Sequence, residues 1–181
     1  MKKGFTLIEM VIILAIFGIL LVVGTDFLIQ TIKSSNRSAM ENEVRQNANQ
    51  IMQDIGAEAR KADGNVGFTF VGGAGNLQMS TVNANPSRLV AYSVDVFGVL
   101  TKTITLGGTV LPATILNSNS TAVLNCTGCP GSSCTPGLVV SQATLADPLS
   151  VSLTIQNNST YTRSDFCAKV SLSDIIMARL Y

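Results

Sequence analysis

The sequence predicts an α+β fold in which one long N-terminal helix, first membrane-spanning and then amphipathic, packs on a C-terminal antiparallel β-sheet. Three observations carry this expectation. Phe5 to Val23 is an apolar run of 19 residues with Glu9 as its only charge, long enough as helix to cross a bilayer core about 30 Å thick. Met40, Val44, Ala48, Ile51, Ile55 and Ala59 then recur at spacings of three and four, which places them on one helical face. Beyond Gly64 that period gives way to short alternating runs bounded by Gly, Asn and Pro, the pattern of an antiparallel sheet.

The helix is expected over Phe5 to about Ala62, since the first proline is Pro86. Its lipid half ends near Gly24, and Ala62-Asp63-Gly64 supplies a glycine stop. Gly18 and Gly24 allow a neighbouring helix to approach the apolar half closely. The outer half needs a surface to cover its stripe, and the sheet is that surface. Asn65–Asn85 reads as a glycine-rich connector with short strands near Phe68–Val71 and Leu77–Thr81. Further strands are expected at Arg88–Tyr92, Phe97–Leu106, Thr114–Leu116, Thr121–Asn125, Leu138–Ser141, Ser150–Ile155 and Phe166–Leu172. Ser173–Tyr181 reads as a last strand or a short helical turn.

The N-terminus holds the chemistry. Lys2 and Lys3 precede the span, and basic residues ahead of a first span stay cytoplasmic, so the C-terminal region is exported. Glu9 lies inside a segment destined for lipid, and an intramembrane carboxylate points to function. A secretory signal has an apolar core of about 7–15 residues and a small-residue cleavage site. This run is longer, and Leu20-Leu-Val-Val-Gly24 is no such site. A plain anchor has no use for Glu9 or for a glycine before phenylalanine.

Lys3-Gly4-Phe5-Thr6-Leu7-Ile8-Glu9 resembles the class III signal of type IV pilins and type II secretion pseudopilins. The resemblance covers about the first 30 residues. It implies a pilin-like fold, cleavage by prepilin peptidase between Gly4 and Phe5, N-methylation of Phe5, and assembly through Phe5 and Glu9. It divides the chain into a leader (1–4), a membrane and filament-core half-helix (5–26), an amphipathic half-helix (27–63) and an extracytoplasmic β-rich domain (64–181). The partners implied are the peptidase, other pilin subunits in a helical filament, an inner-membrane assembly platform, and the lipid bilayer before assembly. The location implied is the cytoplasmic (inner) membrane, single-pass with the C-terminal domain exported, and then an extracellular or periplasmic filament. Many major pilins have a kinking proline shortly after the span, where this chain has Thr25-Asp26; a kink here needs Gly24 or another cause. Leu89-Val-Ala-Tyr-Ser-Val94 with Phe97-Gly-Val-Leu-Thr-Lys102 is similar to a strand pair of J/W-type minor subunits. Both features point to a minor subunit. An anchored adhesion or binding protein, or a type II secretion pseudopilin, is the alternative.

Composition narrows the function classes. Twelve basic and 11 acidic residues give +1, and loss of Met1–Gly4 makes this −1; neither value favours nucleic-acid binding by bulk charge. From Gly64 to Ala146 the only charges are Arg88, Asp95 and Lys102, and Ser, Thr and Asn supply the polarity. There is no histidine, which removes Ser-His and Cys-His pairs. No phosphate loop or paired carboxylates stand out, so no enzyme activity and no cofactor is expected.

Cys126, Cys129, Cys134 and Cys167 follow a C-x2-C-x4-C spacing with a distant fourth. A C-x2-C pair invites zinc, but a second such pair and histidine are lacking, and exported cysteines form disulfides. No metal is therefore expected. Four cysteines allow three pairings. The favoured one joins Cys126 or Cys129 to Cys134, and the other of the two to Cys167, as pilin C-terminal disulfides do by resemblance. Asp147, Asp165 and Asp174 match no calcium loop. The Asn-x-Ser/Thr triplets at Asn36, Asn119, Asn125, Asn157 and Asn158 are common in such compositions and carry no prediction.

Overall fold

The computed structural model describes residues 6–61, 66–69, 75–81, 87–128, 131–141, 149–157 and 168–176. The chain divides into two compact units, Met1–Ser38 and Ala39–Tyr181. The helix α1 (Leu7–Lys61) supplies all described residues of the first unit but Thr6, and one wall of the second.

In the first unit every described residue is exposed. The large apolar residues of Leu7–Val23 range from 47% exposed at Ile13 to 84% at Leu7. This segment is long and apolar enough to cross a membrane. The helical pattern runs unbroken through Gly24-Thr25-Asp26. There the Thr25 hydroxyl donates back to the Val22 carbonyl at 2.8 Å.

In the second unit the stripe is buried as its spacing predicts. Val44, Ala48, Ile51, Ile55 and Ala59 are all covered, with Met40 packed at their edge. They form one core with Leu77, Met79, Val90, Tyr92, Leu100, Leu138, Val140, Val151, Leu153 and Ile155 from the strands. Burial of each Val, Leu, Ile or Met side chain among them contributes about 1.5–3 kcal/mol, which is what fixes the outer half-helix against the strands.

The strands are β1 (Val66–Thr69), β2 (Asn76–Thr81), β3 (Arg88–Val94), β4 (Leu100–Leu106), β5 (Thr109–Val110), β6 (Thr114–Ile115), β7 (Thr121–Ala122), β8 (Leu124–Gly128), β9 (Gly131–Pro136), β10 (Leu138–Ser141), β11 (Leu149–Asn157) and β12 (Lys169–Ile176). They form three antiparallel sheets, where the sequence suggested one. The first is a meander β1-β2-β3-β4-β5 with β6 returning to β4. The second is β10-β11-β12 with β7 added to β11, and the third is the β8-β9 hairpin.

Two departures from the sequence expectation have local causes. The strand expected from Phe97 begins only at Leu100. Residues 95–99 form a tight turn in which Asp95 Oδ1 accepts from the Phe97 and Val99 amides at 2.9 and 2.8 Å, with Gly98 at φ 79°. The run Thr121–Asn125 is divided between two sheets at Val123. Its amide bonds the Gly98 carbonyl at 2.8 Å and its carbonyl accepts from Gly137 at 2.9 Å. A Cβ on Gly137 would lie 2.0 Å from the Thr154 carbonyl oxygen, so only glycine lets the hairpin close on β11. Ser173–Ile176 extends β12 rather than turning into helix; residues 177–181 lie outside the described residues.

Candidate functional site

The helix begins at Thr6. Its carbonyl oxygen accepts from the Glu9 amide at 3.1 Å and its hydroxyl from the same amide at 3.4 Å. Thr6 is thus the N-cap and Glu9 the third helical residue, a Thr-x-x-Glu arrangement that suits the start of a helix. A carboxylate in the first turn is also favoured by the helix dipole. Glu9 is exposed at the head of an apolar, unpaired segment. Gly4 and Phe5, the other two residues singled out there, lie outside the described residues.

Two of the four cysteines lie among the described residues. Cys126 and Cys134 face each other across β8 and β9 and are disulfide-bonded. Cys129 and Cys167 lie outside the described residues. The Cys126 end of the hairpin is held by β12, where Lys169 Nζ donates to the Asn125 side chain at 2.7 Å and to the Cys126 carbonyl at 3.1 Å. Of the three aspartates considered for calcium, Asp174 is exposed on β12 and its carboxylate accepts from the Ile175 amide. Asp147 and Asp165 lie outside the described residues, and no group of metal-ligating side chains occurs among those described.

Sequence reasoning missed an ionic cluster between α1 and the first sheet. Asp54 and Glu58 stand one turn apart on α1. Arg88 Nη1 reaches Glu58 Oε2 at 2.6 Å, and Lys102 Nζ reaches Glu58 Oε1 at 3.0 Å and both Asp54 oxygens at 2.8 Å. The Tyr92 hydroxyl donates to Asp54 Oδ2 at 2.8 Å, and Lys102 Nζ lies 5.8 Å from the Tyr92 ring centre. Glu58 is only 5% exposed. Burial pushes its carboxyl up, but the hydrogen bonds and charges of Arg88 and Lys102 outweigh this and lower its pKa to about 2. Burial, then the hydrogen bond to Asp54, pushes the Tyr92 hydroxyl well above its usual value. The Glu58 hydrogen bond raises Arg88. Lys102, lowered by burial, is raised on balance by its two carboxylates. Two of the three charges between Gly64 and Ala146 are thus spent on α1. The signal was present: strand alternation places Arg88 and Lys102 on the same faces as Val90 and Leu100.

No curated protein and no solved structure matches the chain. Residues 1–25 match the prokaryotic N-terminal methylation motif. The matched segment holds the Thr6 cap, Glu9 and the apolar run, so the N-terminus of this chain carries a type IV pilin or pseudopilin signal.

Proposed function

We propose that this chain is a minor structural subunit of a type IV pilus or pseudopilus. Prepilin peptidase removes Met1–Gly4, Phe5 becomes the methylated N-terminus, and the mature chain waits in the inner membrane with its C-terminal unit exported. An assembly platform then moves it into a filament with other pilin subunits. The observation that carries this reading is the methylation motif running directly into a helix whose described apolar side chains are exposed. Such a helix requires lipid or other helices around it.

Glu9 decides the assembly step. Cleavage makes the Phe5 amine a cation, and in a filament core of low dielectric it pairs with Glu9 of an adjacent subunit. Leaving one member of a buried pair without its partner costs about 3–5 kcal/mol, so misplaced subunits are rejected. Glu9→Ala is expected to leave a processed, membrane-retained chain absent from sheared filaments; filament incorporation at the wild-type level would refute this role. Gly4→Val is expected to retain the four-residue leader, read as the intact mass of the purified chain. A shortened Gly4→Val product would refute the cleavage site.

A further inference from the structure

We infer that the β3–β4 tip of one subunit docks into a groove between α1 and β12 of a second copy, making a head-to-tail contact outside the membrane helices. The inference rests on the filament reading above, and the contact forms wherever two copies of this minor subunit are neighbours in the filament. Val96 and Phe97 are 85% and 75% exposed, the two most exposed large apolar residues among the described residues beyond Ser38. Their backbone is fixed from several sides. Asp95 Oδ1 holds the amides of Phe97 and Val99, and the Gly98 carbonyl accepts from the Val123 amide and the buried Asn117 side chain. Asn117 also accepts from the Leu100 amide at 2.8 Å and donates to the Thr121 carbonyl at 2.6 Å. A rigid apolar knob presented to solvent is pre-organised for binding, because little entropy remains to be lost.

The same unit offers a receptor of matching chemistry. Met52, Gly56 and Arg60 of α1 and Leu172 and Asp174 of β12 line an open groove of about 320 Å³. Gly56 leaves its floor bare, and the Arg60 guanidinium lies across it, 3.6 Å from where a Cβ would stand. A planar guanidinium over an apolar floor is a platform for an aromatic ring. The exposed Asp95 carboxylate beside the knob meets the Arg60 charge, with Asp174 on the opposite wall.

The two surfaces are displaced along the helix. The segment behind the knob bonds α1 near Glu43 and Asn47, through Ser120 and Ser118. The groove is centred roughly ten residues further on, or ~15 Å. A surface patch that fits a different patch on the same molecule makes a heterologous contact, which builds an open filament where its rotation does not close into a ring, and not an isologous dimer.

The test places the photo-crosslinker benzoylphenylalanine at position 97 of the full chain. It is irradiated both in filaments and as purified chain in detergent, and the crosslinked peptides are mapped. A crosslink between two chains to Met52–Arg60 or Leu172–Asp174 is the expected result in the filaments. Crosslinks confined to other segments, or to residues 177–181 of the same chain, overturn the docking. The same groove crosslink in detergent, with no wild-type chain in filaments, would support the docking and refute the filament reading; wild-type filaments with crosslinks elsewhere would do the reverse. On the receptor side, Gly56→Met fills the groove from beneath the Arg60 guanidinium, at a buried helix position. It is expected to lower incorporation into filaments by about tenfold or more, the size of a hot-spot loss. Asp95→Asn keeps the turn acceptor and should lower incorporation less. Incorporation of Gly56→Met at the wild-type level overturns the proposal.

Discussion

Glu58→Gln isolates the ionic cluster. The substitution keeps the size and a hydrogen-bonding end but removes the charge that Arg88 and Lys102 share. The carboxyl's pKa falls from 4.5 to about 2 in the folded chain, and at 1.36 kcal/mol per unit this corresponds to about 3 kcal/mol of stability at neutral pH. Breaking a buried ion pair from one side costs about 3–5 kcal/mol in general, the same order. The sign follows from the direction of the shift. A carboxyl depressed on folding stabilises above its unfolded pKa, and that stability disappears as pH falls from about 4.5 towards about 2. The assay is urea unfolding of the full chain in detergent, followed by tyrosine fluorescence, since the chain has three tyrosines and no tryptophan. At pH 7 the variant should be less stable by about 3 kcal/mol, and near pH 2 the two proteins should converge. A cost under about 1 kcal/mol at pH 7, or an equal cost at both pH values, would refute the assignment of the cluster as a stabilising network.

Three further outcomes are expected. Gly98→Ala places a Cβ 2.7 Å from Leu124 and 2.8 Å from Ala122 at a backbone φ of 79°; a loss of about 2 kcal/mol is expected by the same unfolding assay, and a neutral substitution would refute the turn geometry. Peptide mapping without reduction should recover Cys126 linked to Cys134 and, as proposed for the remaining pair, Cys129 linked to Cys167. Cys126→Ser with Cys134→Ser should lower stability by about 2–3 kcal/mol for a loop this short, and recovery of either cysteine in another linkage would refute the pairing.

The helical stripe was legible because five buried positions on α1 obey the 3.6-residue period, and nothing in the sheet interrupts it. The meander from β2 to β4 was legible because its core residues alternate. Three things were hidden for physical reasons. Asp54 and Glu58 sit among Asn, Gln, Glu and Arg, so nothing local sets them apart from solvated helix surface; only the strands' inward cations give them meaning. Strand β9, Gly131–Pro136, is made of turn-forming residues and exists by pairing with β8, across which its disulfide lies. The three-sheet division depends on Val123 and Gly137, whose long-range backbone bonds have no sequence period. At the N-terminus, Glu9 could be singled out because a charge in an apolar run is conspicuous, while its place in a Thr6-capped first turn needed coordinates.

The spacing of the cluster makes it a detent against sliding. Asp54 and Glu58 are separated by about one turn, and Lys102 grips both. If α1 slipped one turn (~5.4 Å) along the strands so that Gln50 took the place of Asp54, the neutral Gln50 would face Lys102 and Tyr92. The cluster would then hold one carboxylate, Asp54, for two cations. A hydrophobic stripe repeating every turn tolerates such a slip far better, because one apolar side chain replaces another. Axial tension on the helix is therefore resisted by the charges, and the apolar core supplies adhesion without register.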